Sequence, residues 1–204
     1  MARFFEDWDT DGRNFDSTYG TDTAGKITPD QLKTNSPLVN QASSYLGVSP
    51  ERVAKAVAAT GIDAREFTFV DLGCGKGRAL LVAAQLGFRQ VIGVEFADEL
   101  PEIARENARI MGFGEITVIQ GDAGEFLFPA GDLVVFLHNP FWIPVMRRVV
   151  ENLRRARYGR LFVLYLTPQI PEILDEAEFL ERIASPDDPP HGTILYRGKL
   201  KRLP

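Results

Sequence analysis

Cysteine is nearly missing from this sequence. Cys74 stands alone, which excludes an internal disulfide and any thiolate cluster for a metal. Histidine is scarce as well, and the two present, His138 and His191, lie too far apart in sequence to form a metal-binding pattern. There is no basic excess: 23 Lys and Arg against 28 Asp and Glu leave a formal charge of −5 and a pI near 5.2. Nothing global therefore favours DNA or an anionic membrane as partner. No apolar run approaches membrane-spanning length, and the opening MARFFEDWDTDG carries acids where a secretory signal needs basic and then apolar residues. These absences predict a cytoplasmic protein without a disulfide framework. No internal repeat or low-complexity tract is present.

What the chain does have is a globular composition, 45% hydrophobic and 25% charged, over 204 residues. That length suits one domain with an extension. The most informative stretch is FTFVDLGCGKGR, Phe67 to Arg78. An apolar strand runs into three alternating glycines, Gly73, Gly75 and Gly77, and then into a helix rich in alanine and leucine. Glycines at this spacing let the backbone take positive φ and let a ligand lie against the main chain at a helix N-terminus. Neither phosphate fingerprint fits. The third glycine comes one residue early for G-x-G-x-x-G, Lys76 lacks the spacing of a P-loop lysine, and Asp71 would repel a phosphate at short range. A cationic ligand is the better match, and a nicotinamide-dependent oxidoreductase is correspondingly disfavoured. VDLGCGKGR resembles the first motif of class I S-adenosylmethionine-dependent methyltransferases, in which the acid before the glycines faces the ammonium of the cofactor.

The rest of the chain alternates strands and helices. Ser49-Pro-Glu-Arg52 marks a helix start, with Ser as N-cap and Pro at the first position. Strands are expected at 67–72, 90–95, 116–120, 133–137 and 161–166, and helices at 98–111 and 142–157. The spacing predicts an α/β, doubly wound, mainly parallel sheet with right-handed crossovers. Two further strand-like runs, 180–184 and 193–196, follow without a helix between them. The resemblance implies a seven-stranded sheet whose last strand inserts antiparallel to its neighbours. Residues 49–204 are the expected domain, and 1–48 an N-terminal arm or a lid over the site. The arm has scattered aromatics (Phe4, Phe5, Trp8, Phe15, Tyr19) but neither helical nor strand period. Its stretch FDSTYGTDTAGKI is similar to one carried by a little-studied bacterial methyltransferase group, which favours the lid; Tyr19 is the arm residue expected on the substrate side.

The candidate site residues close successive strands. Glu95 lies 18 positions beyond Gly77, where an acid accepts from both ribose hydroxyls. Phe96 beside it is an adenine contact or a core phenylalanine. The resemblance implies that Asp122 accepts from the adenine amino group and that the amide of Ala123 meets a ring nitrogen. His138-Asn-Pro-Phe141 resembles the Asn-Pro-Pro-Tyr/Phe motif of amino-group methyltransferases, with one proline missing. Asn139 is then the acceptor that aims the target nitrogen, with Pro140 and Phe141 against the substrate. His138 is a cofactor-side neighbour, a base for a hydroxyl or ammonium, or a hydrogen-bonded strand-end histidine. Cys74 belongs to the cofactor loop as a small packing residue.

Arg147, Arg148, Arg154, Arg155, Arg157 and Arg160 form the densest basic cluster, which reads as a solvated helix face first and an RNA- or acid-binding surface second. Together these residues predict a methyltransferase using S-adenosylmethionine, with a nitrogen acceptor, protein lysine included, slightly preferred. Small molecules and RNA stay open as acceptors. A catalytically silent S-adenosylmethionine-binding sensor or partner subunit is the alternative, and the oligomeric state is left open.

Overall fold

The computed structural model describes residues 14–32, 34, 39, 43–183 and 192–199. His191, Phe4, Phe5, Trp8 and the proline-rich turn after residue 183 lie outside the described residues. Seven strands form the main sheet: β3 (Thr68–Leu72), β4 (Gln90–Glu95), β5 (Thr117–Gln120), β6 (Gly131–His138), β7 (Tyr158–Leu166), β8 (Leu180–Ile183) and β9 (Thr193–Gly198). Their order is β5-β4-β3-β6-β7-β9-β8. Every pair from β5 to β7 is parallel, and β9 runs antiparallel to both β7 and β8. The predicted seven strands and the antiparallel insertion are both present. A separate two-stranded antiparallel ribbon, β1 (Lys26–Ile27) with β2 (Tyr45–Leu46), lies in the N-terminal segment.

The helices divide between the two faces because the strand side chains alternate. In β6, Val134 and Phe136 enter one core with Phe69, while Leu133, Val135 and Leu137 enter the other with Val70 and Leu72. The first core is covered by α1 (Pro50–Ala58), α2 (Arg78–Gln85) and α3 (Leu100–Ile110); the second by α4 (Ile143–Arg155) and the short α5 (Glu172–Asp175). Strand β6 is a central strand, as its unbroken apolar run implies. The sheet reverses direction of winding between β3 and β6, and in such sheets the crevice at that switch point takes the ligand.

Two local expectations need correction, and one short helix had no sequence signal. Ser49 occupies the N-cap position of α1, but its hydroxyl donates to Glu51 at 2.7 Å and does not cap the helix. The N-terminal segment is not without regular structure: residues 14–19 are helical and β1–β2 pair, an order set by side-chain hydrogen bonds and invisible to apolar periodicity. Helix α5 has too few residues to give a period. Among the described residues no helix is long and apolar enough to cross a membrane.

Candidate active site at the carboxyl end of the sheet

Four parallel strands end at one cleft, the position at which open α/β sheets bind ligands. Strand β3 delivers Asp71 and the glycine loop, β4 delivers Glu95 and Phe96, the turn after β5 delivers Asp122 and Ala123, and β6 ends in His138, Pro140 and Phe141. Gly73, Gly75 and Gly77 all take positive φ, at 82°, 53° and 87°. The loop is stitched to β4: Gly73 N–H and Cys74 N–H both donate to the Val94 carbonyl, at 2.8 and 3.1 Å, and Gly75 N–H donates to Glu95 Oε2 at 2.9 Å. Glu95 Oε1 accepts from Ala97 N–H at 3.0 Å. One carboxylate thus fixes both the loop and the strand end.

The close approaches at the loop require glycine. A Cβ on Gly73 would sit 2.5 Å from Pro140 Cβ, and one on Gly75 would enter the ring of Tyr45. Gly75→Ala is expected to cost about 1–3 kcal/mol in stability and to weaken ligand binding. Gly87→Ala is the control, since Gly87 shares the positive φ (80°) with nothing within 4 Å of its Cβ position. Thermal melts and ligand titrations of the two variants separate the contact from the backbone strain; equal behaviour would mean that the Tyr45 contact is unimportant.

The electrostatics of the cleft are one-sided. Asp71 is 3% exposed and Glu95 5%. Burial, with Glu95 adding to it, holds the Asp71 carboxyl well above the usual carboxylate range, and burial raises Glu95 against the pull of its backbone donors. Among the described residues no cation pairs with Asp71. His138 goes the other way. Burial first, then Arg52 and Arg78, push its imidazole down to about 3 against a backbone hydrogen bond with Leu46, so it is neutral at physiological pH. The thiol of Cys74 is pushed up by burial and by Asp71, and its Sγ would lie 2.7 Å from a Cβ on Gly93. It is a packing residue lining the cleft rather than a nucleophile.

A family described as a methyltransferase domain matches residues 69–157. A ribosomal protein L11 methyltransferase of Caldanaerobacter subterraneus is 26% identical over 132 residues, 63% of this chain and 42% of that protein. A 23S rRNA (uracil(1939)-C(5))-methyltransferase of Shewanella sp. is 34% identical over 103 residues, covering 50% of this chain and 19% of that protein. The chain therefore spans less than half the length of these curated relatives. The crystal structure of a ribosomal protein L11 methylase from Lactobacillus delbrueckii subsp. bulgaricus superposes with a TM-score of 0.55 at 17% identity, over 73% of this chain and 79% of that one. Residues 69–157 thus resemble a methyltransferase domain, and the sheet has the fold of the superposed methylase.

Beside this cleft the N-terminal segment is anchored to the glycine loop by a dense polar network. Asp16 accepts from Thr21 Oγ1, from the Thr23 amide and hydroxyl and from the Ala24 amide, all within 2.9 Å. Burial raises the Asp16 carboxyl, but these bonds outweigh it and leave it below the ordinary range. Lys76 donates to Asp22 Oδ1 at 2.6 Å and to the Ala24 carbonyl at 3.1 Å; Arg78, 2% exposed, donates to Thr23 Oγ1 at 2.7 Å and the Val48 carbonyl at 3.1 Å. Asn107 of α3 brackets the backbone of Asp22, and Tyr45 donates to the Thr23 carbonyl at 2.6 Å. The two cations of GKGR serve as clamps for this strap.

Several residues fall outside the expected constellation. Tyr19 is 41% exposed, rests on Phe15 at a centroid distance of 4.8 Å and does not line the cleft. Asn139 sits at the end of β6 with φ 48°, a conformation Asn tolerates better than most residues, between cleft-lining neighbours. The arginine cluster is largely neutralised: Arg148 pairs with Asp122 at 2.8 Å, Arg154 and Arg155 with Glu151, Arg160 with Glu66 and Asp132. Among the cleft residues that sequence reasoning missed are Tyr45 and Ser43, both on the strap. Their only signal is an aromatic followed by Leu-Gly-Val just before the Ser-Pro helix start.

Proposed function

We propose that the protein transfers the methyl group of S-adenosylmethionine by in-line displacement to a nitrogen acceptor, with a protein lysine as the leading class. The residues present suit the cofactor. The Asp71 carboxylate, which has no cationic partner among the described residues, would face its ammonium, and Glu95, whose oxygens each have spare acceptor capacity, would take the ribose hydroxyls. Asp122 would accept from the adenine amino group. Its oxygens already receive the Gly124 amide at 2.7 Å and Arg148 at 2.8 Å, which fixes the carboxylate in place. Phe96 would flank the ring. The bound cofactor supplies the electrophilic methyl carbon and takes back the electrons of the breaking carbon–sulfur bond.

One observation carries the choice of nitrogen. The Pro140 carbonyl, at the end of β6, already accepts an N–H, that of Ser43, at 3.1 Å. A strand-end carbonyl of this kind would accept from an N–H donor and, together with the Asn139 side chain, would aim the nitrogen lone pair along the transfer line. His138 is too weak a base to take a proton, so a lysine ammonium would lose its proton to solvent before the amine lone pair attacks the methyl carbon. Phe141 and Phe136 supply an apolar wall that keeps water from the methyl group. A protein acceptor is favoured over RNA by the pairing of the arginine cluster and by the ribosomal-protein relative, the longer of the two matches.

The test is incubation with methyl-tritiated S-adenosylmethionine and separated ribosomal proteins, total protein and rRNA. Label is expected in protein, recovered as methyllysine on hydrolysis. Asn139→Ala should lower kcat by about 100-fold, the order of one lost transition-state hydrogen bond, with cofactor affinity unchanged. Label confined to rRNA, or an Asn139→Ala enzyme of normal rate, would overturn the acceptor assignment.

A further inference from the structure

We infer that the ring of Tyr45 is the surface on which the sulfonium of S-adenosylmethionine rests, and so the residue by which the site distinguishes the methyl donor from its spent thioether product. The inference rests on the cofactor and not on the acceptor reading. S-adenosylmethionine carries two cationic centres, the ammonium and the sulfonium, joined by a short carbon chain. The acids lining the cleft are Asp71, Glu95 and Asp122 among the described residues, each at the end of a different strand. Asp71 answers one cationic centre, while Glu95 and Asp122 lie one and two strands farther along the sheet. The second centre is left without a carboxylate.

Tyr45 supplies what is lacking. It lines the same cleft as Asp71, and its ring lies so close over Gly75 that no side chain could stand there. An aromatic face attracts a cation through its quadrupole, and a desolvated site strengthens the attraction. The ring already tolerates a cation nearby, the Lys76 ammonium at 6.0 Å from its centroid. Its hydroxyl is spent on the Thr23 carbonyl at 2.6 Å and is kept protonated by burial, which raises its pKa. Only the ring itself is therefore offered to the cleft. Thr23 is in turn held by Asp16 and Arg78, so the ring is fixed before any ligand arrives.

The strap then has a chemical task beyond covering the site. Once the methyl group leaves, the sulfur becomes a neutral thioether and the attraction to the ring disappears, which weakens retention of the product relative to the donor.

Calorimetry on the full chain decides the matter, with three ligands: S-adenosylmethionine; sinefungin, which bears an amine cation in place of the sulfonium; and S-adenosylhomocysteine, which is neutral there. Tyr45→Leu and Tyr45→Met remove the π face and keep apolar bulk; Tyr45→Phe keeps the face. The Leu and Met variants are expected to lose about 3- to 30-fold in affinity for the two charged ligands, the range of a cation–π contact, and to bind S-adenosylhomocysteine within about twofold of wild type. Tyr45→Phe should affect all three ligands alike, since it alters only the anchor to Thr23. Retained S-adenosylhomocysteine binding also shows that the variants are folded. Equal losses for charged and neutral ligands, or no change for any, would overturn the inference. Failure of the wild-type protein to bind any of the three would instead overturn the cofactor assignment.

Discussion

Asp71→Asn is expected to stabilise the cofactor-free protein and, at the same time, to remove most of its affinity for S-adenosylmethionine. The carboxylate is 3% exposed and has no cationic partner among the described residues, and Glu95 adds to its cost. Burying an unsatisfied polar or charged group costs about 1–3 kcal/mol or more, and asparagine keeps the shape while removing the charge. A rise of several degrees in the thermal midpoint follows, since about 1 kcal/mol moves a chain of this size by roughly 2–4 °C. Binding should suffer in proportion: losing one partner of a buried charge pair costs about 2–5 kcal/mol, or roughly 30-fold and upward in Kd.

The same group predicts opposite pH dependences for stability and binding. Its folded-state pKa lies above the unfolded value of about 3.9, so the folded chain binds the proton more tightly. Below about pH 4 both states are protonated and the group makes no difference. As pH rises from there through the raised folded-state value, the free protein loses stability while affinity for the cationic cofactor increases. Melting curves at a series of pH values, with and without S-adenosylhomocysteine, measure both slopes. Asp71→Asn should flatten them, and a variant that melted lower than wild type while binding normally would show that Asp71 has another partner.

Glu95→Gln is expected to weaken cofactor binding by about 10- to 100-fold and to loosen the glycine loop. The carboxylate holds Gly75 N–H with one oxygen and Ala97 N–H with the other, and only an ionised carboxylate can do both and still accept from two hydroxyls. Glutamine has one acceptor oxygen, so an amide or a hydroxyl loses its partner, at about 1–3 kcal/mol for each buried group left unsatisfied. Titration with S-adenosylhomocysteine and with 5′-methylthioadenosine, which keeps the ribose but lacks the amino acid, should show similar losses. For Asp71→Asn only the first should weaken. A loss confined to the amino-acid-bearing ligand in Glu95→Gln would contradict the ribose assignment.

The strand ends were legible in the sequence because each is marked by a change of period or composition. The apolar run before Gly73, the acid closing 90–95, Gly-Asp after 116–120 and His-Asn-Pro-Phe after 133–137 are local signals, and all four were correctly expected at one edge of the sheet. The strap was not legible. Asp16, Thr21, Thr23 and Asp22 are ordinary polar turn residues until the fold brings them against Lys76, Arg78 and Asn107, whose positions are 52 or more residues away in sequence. The arginine cluster shows the same limit in reverse: it is dense in sequence, yet much of it is neutralised by acids from the same helix and from distant elements.

By itself, then, the sequence determined the sheet, the glycine loop and the acid that precedes it, because glycine spacing and strand period act within a few residues. Only the tertiary structure decided that Asp71 has no cation of its own among the described residues, that Lys76 and Arg78 are spent on the strap, and that Tyr45 covers Gly75. Those are facts of long-range contact and desolvation. They depend on which distant groups share a low-dielectric space, which no local pattern encodes.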